Sequence, residues 1–142
     1  MDPATSSWAS APALPVAMSQ GDAAGADGTF FIVGGYPVTE PMYAYTIATS
    51  TWGKLPALPT ALYDLAVAAS STKVYAVGGY DQYVGVVSDV YGYEISTSTW
   101  DSLPALPKPM YRGQAGVIGS VLWVTGDQPG REGNLYSYTP GR

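Results

Sequence analysis

The sequence predicts an all-β repeat fold of three units, each built from four short strands. Three observations predict it. A ten-residue motif occurs three times: Ser6–Pro15 reads Ser-Ser-Trp-Ala-Ser-Ala-Pro-Ala-Leu-Pro, Ser50–Pro59 reads Ser-Thr-Trp-Gly-Lys-Leu-Pro-Ala-Leu-Pro, and Ser98–Pro107 reads Ser-Thr-Trp-Asp-Ser-Leu-Pro-Ala-Leu-Pro. Glycine pairs at Gly34-Gly35 and Gly78-Gly79, with Gly126-Asp127 as a degenerate third copy, share the 44- and 48-residue spacings of Trp8, Trp52 and Trp100. The last Pro of each motif precedes the first Gly position by 19 residues every time. Two independent markers at one period signal stacked units that bury a core only together. The composition agrees: 17 Gly and 12 Pro supply many turns, while 46% hydrophobic and 12% charged residues exclude a disordered chain.

Four segments follow one another within each period. The first is rich in small residues: Gln20–Ala26, Leu65–Ser70 and Gly113–Ile118. The second is a continuous apolar run, at Phe30–Val33, Val74–Val77 and Val121–Val124. Its aromatic and β-branched residues predict a strand buried on both faces. The glycines end that strand, because a side chain there would block the turn or the next unit. After a polar loop comes a Tyr-x-Tyr segment, Tyr43–Tyr45, Tyr91–Tyr93 and Tyr136–Tyr138, whose alternation is strand-like. Seven residues past Tyr45 and Tyr93 stands the Trp of the fourth strand, and the Pro-rich stretch behind it excludes helix. The Tyr and Trp rings are expected to fill space between units.

Four strands per period, with a Gly-Gly and a Trp, resemble the kelch type of propeller blade. Gly78-Gly79, Tyr91 and Trp100, their copies in the other repeats, and Arg112 carry the resemblance, which covers nearly the whole chain. Kelch blades usually have a basic residue and a His early in the first strand; only Arg112 matches, and Gly126-Asp127 departs from the glycine pair. The resemblance implies one domain over residues 1–142, with an outer strand at the N-terminus and blade cores at about 16–50, 60–98 and 108–140. It also implies closure, the N-terminal Trp strand completing the last blade. Eleven residues, Thr139–Arg142 plus Met1–Ser7, would join Tyr138 to Trp8, against six between Tyr45 and Trp52. Propellers have about 4 to 8 blades. Three blades are therefore expected to form half of a six-bladed ring, completed by a second chain as a homodimer. The alternative is a structural repeat fragment with no independent function.

Composition removes several function classes. The chain has no His and no Cys, so a Ser/His/Asp triad, a thiolate nucleophile and the commonest transition-metal ligands are missing. No metal and no cofactor are expected. The net charge of −5 disfavours nucleic acid. No run of about 18 apolar residues exists, so no membrane partner is expected, and Met1–Ser7 shows no signal peptide. The glycine pairs lack the Lys-Ser/Thr of a phosphate loop.

Two sets of residues are candidates for binding. The constant 19-residue register places Gln20, Asp64 and Arg112 at equivalent positions, preceded by Ser19, Tyr63 and Tyr111. The resemblance puts that position at the channel mouth. There Asp64 and Arg112 can pair with each other, or Arg112 can hold a ligand carboxylate with its planar fork. Tyr36 and Tyr80 follow the glycine pairs and are expected on the same face. The second set is the longer loop Tyr80–Ser88, with Asp81, Gln82 and Tyr83, since loops of variable length on a constant scaffold tend to carry recognition. Arg131 and Glu132 are expected to be solvated. The function expected is non-catalytic binding of a protein segment or a saccharide. A sugar-acid epimerase or other carbohydrate-handling enzyme is the runner-up, because some six-bladed kelch proteins are such epimerases.

Overall fold

The computed structural model describes residues 6–37, 42–128, 130 and 133–141. The first sheet runs β1 (Asp22–Ala26), β2 (Thr29–Val33), β3 (Met42–Thr46) and β4 (Thr51–Leu55), each antiparallel to the next. The second repeats that order with β5 (Ala66–Ala69), β6 (Lys73–Val77), β9 (Val90–Glu94) and β10 (Thr99–Leu103). The third has β11 (Tyr111–Ile118), β12 (Val121–Asp127) and β13 (Leu135–Tyr138). The segments expected from the repeat therefore fold as up-and-down meanders. The predicted loop Tyr80–Ser88 contains instead a small hairpin, β7 (Tyr80–Asp81) and β8 (Gly85–Val86). The Asp81 carboxylate accepts from the Tyr83 N–H at 2.8 Å and so closes its turn.

Local chemistry explains the turns. Asp27-Gly28 joins β1 to β2 with both φ angles positive (47° and 74°), as a two-residue hairpin requires. The β3–β4 and β9–β10 turns repeat each other: Ser50 and Ser98 have φ of 54° and 56°, and the Thr49–Thr51 and Thr97–Thr99 hydroxyl pairs each lie at 2.7 Å.

Two cores lie between the three sheets. Strand alternation sends Val74 and Ala76 of β6, with Tyr91 and Tyr93 of the neighbouring β9, toward the first sheet, where they share a core with Phe31, Val33 and Met42. Tyr75 and Val77 point the other way, onto Leu122 and Val124. Of the three apolar runs expected to be buried on both faces, only the central one is. Phe30 is 41% exposed and Trp123 37%, because the first and third sheets each have a neighbour on one side only.

The repeated motif ties one sheet to the next. The Trp52 indole N–H donates to the Pro12 carbonyl at 2.8 Å, and the Trp100 indole N–H to the Pro56 carbonyl at 2.9 Å. Each Trp also lies against the Tyr opposite it, with ring centroids 5.1 Å apart for Tyr45–Trp52 and 5.2 Å for Tyr93–Trp100. Trp8 belongs to no strand here and is 86% exposed, and β13 has no fourth strand beside it among the described residues.

Candidate functional site

The first strands β1, β5 and β11 lie side by side, and the candidate residues stand where these strands begin. Gln20, Asp64 and Arg112 all have positive φ (58°, 53° and 51°). Asp tolerates this conformation readily, but Gln and Arg adopt it at a cost of order 1–3 kcal/mol each. A backbone chain across the sheets holds the conformation. The Asp64 N–H donates to the Gln20 carbonyl at 2.8 Å, and the Arg112 N–H to the Asp64 carbonyl at 2.6 Å. The kink also aligns the preceding residues: Ser19 bridges Tyr36, Tyr63 bridges Tyr80, and in β11 the register shifts between Tyr111 and Gln114.

The kinks bring most of the candidate side chains together. The Arg112 guanidinium lies 3.6 Å from the Asp64 carboxylate through Nε. The Arg side chain is still 62% exposed, against 15% for Asp64. Arg112 also sits over its neighbour Tyr111, 5.1 Å from the ring centre. Tyr36, Tyr63 and Tyr80 form a row beside them. Tyr36 and Tyr63 meet edge-on at 6.3 Å, and Tyr63 and Tyr80 meet tilted at 5.2 Å. Tyr36 is 55% exposed, so the row opens to solvent at one end. Gln20 joins the group through its backbone, with an exposed side chain. Asp81 is occupied in its own hairpin. Arg131 and Glu132 lie outside the described residues.

Desolvation, then the neighbouring Tyr80, Asp64 and Tyr36, hold the Tyr63 phenol above its ordinary value of 10. The folded value lies above the unfolded one, so this group's contribution to stability is full below pH 10 and is lost as pH rises through the folded value. In an absorbance titration the Tyr63→Phe variant should lose one late-ionising phenol. An unchanged late phase would place Tyr63 in ordinary solvent.

Two features of this region were not read from the sequence. The positive φ values have no sequence signal beyond the shared register. The position equivalent to Tyr36 and Tyr80 is Gln128 in the third repeat, and it is 3% exposed. Its side-chain carbonyl accepts from the Asn134 amide at 2.8 Å. There β12 runs on through Gly126-Asp127, whereas both residues of the other two glycine pairs have positive φ. The tyrosine row therefore stops at the second sheet. Among the described residues no group of three or more His, Cys, Asp or Glu could hold a metal ion.

Comparison with known proteins places this arrangement. Residues 61–107, which run from the linker after β4 to the end of the third motif copy, match the Kelch motif. None of the curated proteins matches the chain. Among solved structures, YjhT superposes with a TM-score of 0.73 at 26% identity, over 81% of this chain and 36% of its own. The chain thus spans about a third of that protein's length. Sheet order, glycine pairs and repeated Trp strands agree with both matches: residues 61–107 carry a Kelch motif, and the chain has the fold of part of a kelch-type β-propeller.

Proposed function

We propose that this chain is a non-catalytic binding module that takes an acidic saccharide at the Tyr36–Tyr63–Tyr80 row, with Arg112 as the carboxylate-binding group. The observation that carries this is the row of rings, open to solvent at Tyr36, beside an Arg whose side chain is 62% exposed. Ring faces suit the C–H face of a pyranose, and the planar guanidinium suits a carboxylate. Asp64 orients Arg112 from the side of Nε and leaves the far edge of the fork to a ligand. A protein segment ending in a carboxylate would use the same two features.

The module is half of a six-bladed ring closed by a second copy. The apolar faces around Phe30 and Trp123 support this, because they are the first and last members of a series whose middle members are buried. The backbone chain from Gln20 to Asp64 to Arg112 has the same geometry at both junctions, and a further sheet would continue it. In such a ring the Tyr row and Arg112 occur twice about the axis.

Calorimetry with galacturonate, and with galactose as the uncharged control, tests the site. Galacturonate should bind more tightly, and Arg112→Ala should weaken it roughly 10- to 100-fold, the worth of a charge-assisted hydrogen bond. Equal binding of the two sugars, or binding indifferent to Arg112→Ala, would overturn the assignment.

A further inference from the structure

The second sheet carries a charge pair where the other two sheets carry none. Lys73 opens β6 and is paired in register with Glu94, the last residue of β9. In the first sheet the same two positions are Thr29 and Thr46, also paired. In the third sheet β12 opens with Val121. Tyr75 likewise stands where the first sheet has Phe31 and the third has Trp123. The meander therefore forms equally well with hydroxyl or apolar residues at these places, and neither the charges nor the phenol are needed for strand pairing.

Lys73, Glu94 and Tyr75 line one cleft of about 330 Å³ between the second and third sheets. That volume falls within the range of about 300–1,000 Å³ for small-molecule sites. The cleft lies at the far end of β5 and β6 from Asp64 and Tyr80, and so is separate from the tyrosine row. Lys73 Nζ stands 3.7 Å from Glu94 Oε2, with the two side chains 25% and 30% exposed. At that distance the charges attract without sharing a hydrogen bond, which leaves ammonium donors and carboxylate lone pairs to a third group. Both residues are braced from behind. The Ser70 hydroxyl accepts from the Lys73 N–H at 3.1 Å, and the Ser96 hydroxyl donates to Glu94 Oε1 at 3.2 Å. Burial, then Tyr138 and Glu94, hold the Tyr75 phenol above its ordinary value of 10, so it remains a donor. Thr72 and Ser120, from turns on opposite sides of the cleft, add exposed hydroxyls.

We propose that this cleft is a second binding site, which takes a neutral pyranose. One hydroxyl of a vicinal pair donates to Glu94 Oε2, while its neighbour accepts from Lys73 Nζ. The ion pair stays intact, and its two charges balance each other. A ligand with a net charge would be partly desolvated there with no counter-charge left for it. The C–H face of the sugar meets Val117 and Pro140, the apolar part of the lining. The ligand chemistry thus differs from that of the tyrosine row, where Arg112 is assigned a carboxylate, and this site does not rest on that reading.

Saturation-transfer NMR with the methyl glycosides of glucose, galactose and mannose tests the site, on the parent chain and on Arg112→Ala. At least one of the three glycosides should receive saturation from both proteins. Lys73→Met should weaken that binding roughly 10- to 100-fold, the worth of hydrogen bonds to a charged group. Ser120→Trp closes the cleft from an exposed turn, away from the core, and should abolish the binding; it decides the question if Lys73→Met does not fold. In the Arg112→Ala chain, glucuronate should bind more weakly than methyl glucoside. No transfer to any of the three glycosides, or binding that survives either cleft variant in folded form, overturns the site. Binding lost in Arg112→Ala places the sugar at the tyrosine row and overturns the cleft as well. Glucuronate bound as tightly as methyl glucoside overturns the neutral ligand.

Discussion

Gly78→Ala is expected to destabilise the protein by about 2–5 kcal/mol, from left-handed backbone strain and overpacking together. Gly78 has φ of 61°, which an alanine adopts only with strain. A Cβ there would also collide with the carbonyl oxygen of Met110. That oxygen is engaged: it accepts from the Gly79 N–H at 2.7 Å and so links the second sheet to the third. The Gly78 N–H donates to the Asp89 backbone carbonyl at 2.8 Å, so the backbone is held from the other side as well. The chain cannot relax around the methyl without breaking a bond between sheets. Gly53→Ala is the internal control. Nothing lies within 4 Å of its Cβ position and its φ is not positive, so that change should be neutral or gain up to about 1 kcal/mol. Urea unfolding at fixed protein concentration, followed by Trp fluorescence, reads both. A Gly78→Ala midpoint equal to that of the parent would show that the glycine pair is not sterically required.

Tyr93→Ala should cost about 3–5 kcal/mol, the range for deleting a buried aromatic side chain. Tyr93 is 1% exposed and belongs to the core between the first and second sheets. It is also the surface on which Trp100 lies, with centroids 5.2 Å apart. Its loss opens a cavity and also frees the ring that holds the Pro56 linker. Tyr83→Ala removes a ring of the same size that is 86% exposed, and should change stability by less than about 0.5 kcal/mol. Similar losses in the two variants would mean that the Tyr-x-Tyr rings do not form the core between the sheets.

Much of this architecture was legible because the repeats compare the chain with itself. Local chemistry marks the strands. The apolar runs became β2, β6 and β12, the Tyr-x-Tyr segments became β3, β9 and β13, and Trp52 and Trp100 fell in β4 and β10. The equivalence of Gln20, Asp64 and Arg112 came from a constant spacing and reappears as a shared positive φ. The hairpin inside Tyr80–Ser88 was not legible. It rests on an Asp81 carboxylate turned back on its own loop, and no periodicity announces that.

The sequence by itself determined the order of the main strands, the turns between them and the kelch-type repeat, because these depend on neighbours along the chain. Only the tertiary structure decided which faces are covered. Phe30 and Val74 hold the same place in their repeats, yet one is 41% exposed and the other fully buried. Burial depends on what packs across a gap of ~10 Å rather than on the residue itself. The same holds for the site. Whether Arg112 meets Asp64, and whether three tyrosines from two repeats form one row, depends on how adjacent sheets hand their backbone from one to the next.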